Sequence, residues 1–314
     1  MEIVLIANEK GGTGKSAMVH TLSNALTALG YRVLAVDFDP SGNLSRSVLQ
    51  EEPKHVLYEV FTGICDLDSA IYHTEICDIL PTIKDLALDI APADTFLLAS
   101  KDSKSLTQLA DRLVGRAGAE AMLRNLLRSK KHDLASRYDF VIIDSAPSDN
   151  ILVTNAIVAA DSILIPCEPS QGGLDGVWMF LSTVNTANNA YTPSNAKVDG
   201  IVISKYTEDG ANFVESIQAI HETAKFKDLY LYNTVMRDSK SIPHAMGHCR
   251  PILSYLNTNG HGPVDALNLA LEFLEARSLV PKTDFPGVQT NKDGSLFFAR
   301  PGKAEKPAAS EEEL

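Results

Sequence analysis

The sequence predicts an α/β fold, a mainly parallel, twisted sheet with helices on both faces. Three observations carry that expectation. Short apolar runs of buried-strand length recur at residues 3–7, 31–36, 140–143, 162–165 and 200–204, with stretches of helical spacing between them. These runs are continuously apolar instead of alternating, as strands covered on both faces are. The chain has 314 residues, 45% of them hydrophobic and 22% charged, which is ample material for a buried core.

Taken in order, the first strand at 3–7 runs into a glycine-rich loop. Met18, Val19, Leu22, Ala25, Leu26 and Leu29 then recur at helical spacing until Gly30 stops the helix. The second strand, 31–36, ends at Asp37. Residues 50–78 hold short pieces and several acidic side chains. Residues 106–127 form one or two amphipathic helices, interrupted near Gly115 and Gly118, and the last helix runs from about 263 to 277. Residues 1–279 are expected to form one domain. Residues 280–314 carry four prolines and end in Glu311, Glu312 and Glu313, so a poorly ordered tail is expected there. Phe297 and Phe298 are the tail residues with apolar surface to dock on the body or on a partner.

Charge and composition exclude several classes. With 28 Lys and Arg against 40 Asp and Glu, the net charge is −12, so the chain does not coat nucleic acid through bulk charge and any contact needs a local basic patch. No apolar run approaches the roughly 18–20 residues of a membrane helix, and the first residues lack a basic leader. Cys65, Cys77, Cys167 and Cys249 show no CxxC spacing, which suits reduced thiols in a cytoplasmic protein.

The sharpest signal is Lys10-Gly11-Gly12-Thr13-Gly14-Lys15-Ser16, set between a buried strand and an amphipathic helix. Glycines let successive backbone N–H groups converge on phosphate oxygens, and the following helix adds its N-terminal donors and dipole. In that reading Lys15 neutralises β/γ oxygens and the Ser16 hydroxyl ligates Mg²⁺. The backbone of Ala17, at the next position, reaches the α-phosphate. Glu9 stands where the usual phosphate loop has its first glycine.

The loop with its extra Lys10 resembles the deviant Walker A family of phosphate-loop NTPases. Three further segments resemble the ParA/Soj-type partition ATPases of that family: Asp37-Phe38-Asp39-Pro40-Ser41-Gly42-Asn43, Tyr138 through Asp144 to Ser148, and residues 155–176. Thr234-Val235-Met236-Arg237-Asp238 sits where the family has its adenine-contacting loop, and the resemblance spans roughly residues 2–277. It implies ATP and Mg²⁺ as cofactors. It also implies a sandwich homodimer in which Lys10 reaches the partner's nucleotide, non-specific double-stranded DNA as a ligand, and a ParB-like centromere-binding protein that stimulates hydrolysis. Localisation would then be cytoplasmic and nucleoid-associated.

The same resemblance implies roles for individual residues. Lys10, Lys15, Asp39 and Asp144 would be catalytic, with Asp39 orienting the attacking water and Asp144 holding an Mg²⁺-bound water. Ser16, Asp39 and Asp144 form the metal set, Asp37 supports it, and residues 10–17 with Arg237 and Asp238 bind nucleotide. Lys205, Arg237, Lys240 and Arg250 are the candidate DNA contacts. Ala17, Ser41 and Met236 depart from the family's usual hydroxyl, glutamine and proline.

Rival readings weigh less. A MinD-like membrane-positioning ATPase ends in a basic amphipathic helix, whereas this chain ends acidic and proline-rich, so no membrane partner is expected. A nitrogenase-reductase-like carrier needs cluster cysteines at motif positions that the four cysteines do not occupy. A nucleotide-switch binding module without hydrolysis is countered by the retained Lys15, Ser16, Asp39 and Asp144. His244 and His248 share helical spacing, but Gly247 interrupts it, so a packing pair is expected there instead of a metal site.

Overall fold

The structure, a computed structural model, describes residues 1–81, 118–147, 151–191, 194–207, 211–258 and 260–300. In chain order it begins with β1 (Glu2–Ile6), α1 (Lys15–Ala28), β2 (Val33–Phe38), α2 (Asn43–Val48), α3 (Leu57–Phe61) and β3 (Asp78–Leu80). Next come α4 (Met122–Leu127), α5 (Leu134–Arg137), β4 (Phe140–Ser145), α6 (Ile151–Ala159), β5 (Ser162–Cys167), α7 (Gln171–Ala190) and β6 (Lys197–Tyr206). It closes with α8 (Ala211–Phe226), β7 (Tyr230–Leu231), β8 (Met236–Arg237), α9 (Ser241–Gly247), α10 (Gly262–Glu275), β9 (Val288–Thr290) and β10 (Leu296–Phe298).

The strands assemble in the order β3-β2-β4-β1-β5-β6-β7, with β8 also paired to β6. Every pairing in this sheet is parallel. Alternate residues of β1 serve opposite cores: Ile3 and Leu5 pack under α6 and α7, and Val4 and Ile6 under α1 and α10. That two-sided burial is why the strands read as unbroken apolar runs. The expected fold class is therefore observed. Residues 106–117 of the expected amphipathic stretch, and Ser148, lie outside the described residues.

Strand β2 runs two residues further than its apolar run, so Asp37 lies inside the strand. The same holds for Asp144 in β4. Both carboxylates sit at the carboxyl edge of the sheet, where ligands bind in open α/β folds. The polar residues broke the apolar pattern that set the expected ends.

The expected loose tail is corrected for residues 280–300. Here β9 and β10 form an antiparallel hairpin on α10. Its Phe298 is 4% exposed, and the Phe298 N–H donates to Asn268 Oδ1 at 2.7 Å. Upstream, Lys282 donates its N–H to Leu29 O, and its ammonium pairs with Asp139 at 2.8 Å. Prolines and charges are scattered among the apolar residues here, hiding three-residue strands whose apolar members Val288, Leu296 and Phe298 meet the body. Residues 301–314 lie outside the described residues. Truncating Phe298 to Ala is expected to cost about 3 kcal/mol of unfolding free energy, read by urea denaturation, because the ring leaves a cavity. A loss under about 1 kcal/mol would mean the hairpin is not part of the cooperative core.

Candidate nucleotide site

Parallel register builds the site. Asp144 on β4 pairs with Ile6 at the end of β1 and with Asp37 at the end of β2, so both carboxylates border the loop that leaves β1. Within that loop Gly12 and Gly14 have φ of +78° and +88°, the left-handed region that lets a loop turn its N–H groups inward. Gly14 is also the residue from which α1 starts. The buried Ser204 hydroxyl on β6 donates to Thr13 O at 2.8 Å and ties the loop to the far side of the sheet.

Lys15 is 6% exposed and curls back over the loop, donating to Asn8 O at 3.2 Å and Lys10 O at 3.1 Å. Burial lowers its pKa, while the nearby Asp144 and Asp39 charges oppose that shift. A phosphate placed in the loop supplies the anion that an ammonium held this way lacks.

Asp144 is fully buried; its oxygens make no hydrogen bond of full geometry, and the Ser16 hydroxyl is the side chain close enough to stabilise its charge. Its pKa stands well above the carboxylate range, first through burial and next through the Asp37 charge. Asp37, also fully buried, is pushed up to about 7, mainly by burial; its Oδ2 accepts from the Ser45 N–H and hydroxyl at 2.7 and 2.5 Å. Asp39 caps the turn into α2, accepting from the Ser41 N–H at 2.8 Å. Buried, hard oxygen donors crowded in this way fit Mg²⁺. The residues that would hold it are Ser16 and Asp144, with Asp39 nearby.

Lys10 lies against its own chain. Its ammonium reaches Ser170 Oγ at 3.1 Å and Glu168 at 3.5 Å, at the start of α7. Gly176 permits this packing, since a Cβ there would come within 2.3 Å of Asn8 Oδ1 and 2.9 Å of Lys10 Cβ. Asn8 spans the gap: its amide donates to Pro166 O at 2.9 Å, and its Oδ1 accepts the Lys10 N–H at 2.9 Å. Glu9, at the expected glycine position, accepts from the Thr183 hydroxyl at 2.5 Å. Sequence reasoning missed Asn8, Ser170, Gly176, Thr183 and Ser204. Asn8 lies two residues before the motif and was findable; the others lie 160 or more residues from their loop partners, so no local spacing signals them.

A cleft of about 240 Å³ opens beside Gly14 and Ala17, walled by Met18, Met236, Ile242, Pro243 and Met246. Arg237 and Asp238 line it too, so the expected base loop is brought beside the phosphate loop. Such apolar walls suit a flat heterocycle.

The four basic residues read as DNA contacts separate. Lys205, Lys240 and Arg250 are exposed. Arg237 is committed elsewhere: its Nε donates to both Asp265 carboxylate oxygens at 3.1 Å, and its Nη2 pairs with the same side chain. Asp265 lies on α10, 28 residues away. The His244 and His248 rings stack at 4.2 Å between centroids, and His244 Nδ1 meets the Tyr255 hydroxyl at 3.0 Å, as a packing pair does.

His20 on α1 is 1% exposed, and burial pushes its pKa down to about 4 against the opposing pull of the Arg250 and Ser47 backbone. A histidine with a depressed folded pKa stays neutral in the native state. Its contribution is complete above the unfolded value near 6.5 and is lost as pH falls through 4. About 3 kcal/mol should disappear over that window. His20→Leu is expected to flatten this part of the acid limb in pH-dependent urea melts; limbs that superimpose would contradict the burial argument.

Fold and site together place the chain in the phosphate-loop α/β class. The AAA domain family (AAA_31) matches residues 1–199. The chain is 30% identical over 257 residues to the chromosome partitioning protein ParA of Caulobacter vibrioides, covering 81% of this chain and 87% of that one. It is 29% identical over 271 residues to the sporulation initiation inhibitor protein Soj of Bacillus subtilis, covering 86% and 97%. An ATP complex of a Cyanothece McdA variant superposes with a TM-score of 0.70 at 20% identity, over 90% of this chain and 99% of that one, a likeness of fold. The chain belongs to this AAA domain family and, within it, to the ParA-type ATPases.

Proposed function

We propose that the chain hydrolyses ATP to drive DNA partition. The observation that carries this reading is the fully buried Asp144, set beside the Ser16 hydroxyl and the Lys15 charge at the phosphate loop. In the proposed cycle the loop N–H groups and Lys15 bind the phosphates, Ser16 and Asp144 hold Mg²⁺, and Asp39 orients water for attack on the γ-phosphorus. Phosphoryl transfer asks mainly for positioning and charge stabilisation, which these groups supply. Bound Mg²⁺ neutralises charge on the phosphate oxygens.

Lys10 leaves Ser170 and Glu168 to reach the nucleotide of a second copy, so the γ-phosphate selects a sandwich homodimer. That dimer pools Lys205, Lys240 and Arg250 from each protomer into a surface for non-specific double-stranded DNA. A ParB-like protein then stimulates hydrolysis and releases it, in a nucleoid-associated, cytoplasmic cycle. Likeness to ParA and Soj supports the partition role.

Binding to random-sequence duplex DNA and to anionic vesicles, each with ATP and Mg²⁺ or with ADP, tests this reading. ATP-dependent DNA binding is expected, with a log–log salt slope of about −0.9 × 6, or roughly −5, for six phosphate contacts per dimer. A slope near zero would remove the basic surface. Vesicle binding alone would move the chain to a membrane-positioning role. Turnover with neither surface bound would indicate a protein cargo.

A further inference from the structure

Outside the nucleotide site, His55, Glu59 and Cys65 bring one donor atom each within 4.8 Å of one another, the one such group among the described residues. The local chain explains the convergence. His55 and Glu59 are four residues apart across the start of α3, and His55 Nδ1 meets Glu59 Oε2 at 3.0 Å. After α3 the chain reverses at Gly63, whose φ is +72°. The N–H groups of Ile64 and Cys65 donate back to Glu59 O at 2.8 and 3.4 Å, which returns Cys65 to the same side. The Tyr72 hydroxyl accepts the His55 N–H at 2.9 Å and fixes that end.

We propose that His55, Glu59 and Cys65 bind one zinc-class divalent cation, with water in the fourth tetrahedral position. Imidazole, carboxylate and thiolate are the donors zinc takes, at about 2.0–2.3 Å. Donors around such an ion lie roughly 3–4 Å apart, so closure from the observed spacing needs only side-chain adjustment. The mixed set disfavours Mg²⁺, which takes oxygen, so this ion is distinct from the one at Asp144. On binding, the Cys65 thiol gives its proton to solvent and the imidazole is neutral, so affinity rises with pH. The Phe61 ring of α3 packs edge-on against Phe38 at 6.2 Å, one residue before Asp39. The cation would therefore brace the segment behind the Asp39 turn.

Cobalt(II) titration of the chelator-treated full chain, without nucleotide or Mg²⁺, tests this. One equivalent is expected to produce a near-ultraviolet thiolate-to-cobalt charge-transfer band that zinc displaces. Only a cysteine ligand gives that band, so the Mg²⁺ site cannot mimic it, and Cys249 beside the His244–His248 pair is excluded by the Cys65 variant. Cys65→Ser should abolish the band, and His55→Ala should weaken binding about tenfold or more. Neither side chain is fully buried, so both variants should keep the parent circular dichroism. No band in the parent protein, or an unchanged band in Cys65→Ser, overturns the assignment. An absent band in the parent overturns the proposal even if a variant misfolds, and loss of the band in Cys65→Ser separates this site from Cys77, Cys167 and Cys249.

Discussion

Lys15→Gln is expected to weaken ATP binding by about 10- to 100-fold, measured by displacement of a fluorescent nucleotide. Lys15 is the cation buried in the loop, and its charge-assisted contacts to phosphate are worth roughly 1.5–3 kcal/mol. The substitution should not unfold the chain. In the nucleotide-free state the ammonium makes two contacts to backbone carbonyls, at Asn8 and Lys10, while its burial disfavours the charge. Gln can donate to one of those carbonyls and removes the buried cation. Melting temperature should hold or rise as affinity falls. Affinity near that of the parent would mean that phosphate is not bound in this loop.

The second large effect belongs to Asp39. Asp39→Ala should slow ATP turnover by about 10²- to 10⁴-fold, the range for loss of a positioned acid–base group. ATP affinity should change little, because the phosphate-loop donors remain. The ATP-bound dimer should then accumulate on DNA. Asp39 also accepts the Ser41 N–H, so Ala removes a turn contact together with the carboxylate. Asp39→Asn separates the two roles, since its amide oxygen still accepts that N–H but cannot take a proton. Phosphate release in single-turnover assays should be slow in both variants. Fast turnover in Asp39→Ala would refute the role given to this carboxylate.

Much of this site was legible because its chemistry is local. Loop, lysine and serine lie in seven consecutive residues, and Asp37 and Asp144 each close an apolar strand. Pairing β2 and β1 with β4 then brings the carboxylates to the loop, as continuously apolar strands require. What escaped detection depends on distance along the chain. Thr183 finds Glu9 across 174 residues and Ser204 finds Thr13 across 191, and neither has a neighbour in sequence that announces it. Arg237 on β8 is a further case: its ion pair with Asp265 on α10 spans 28 residues and has no local signal. The hairpin at 288–298 was hidden because its strands are only three residues long, which leaves no periodicity to count.

The position of Lys10 gives the account its mechanical content. Within one protomer its ammonium is spent on Ser170 and Glu168 at the start of α7. Reaching a second nucleotide exchanges those partly exposed contacts for a phosphate, a stronger charge-assisted partner. ADP lacks the γ-phosphate that would decide this exchange.

Sedimentation velocity of the slow-hydrolysing Asp39→Ala chain with ATP and Mg²⁺, beside the same chain with ADP, tests the proposed switch most directly. The account predicts twice the mass of one chain with ATP and a single-chain mass with ADP. Equal masses in the two nucleotide states would contradict it.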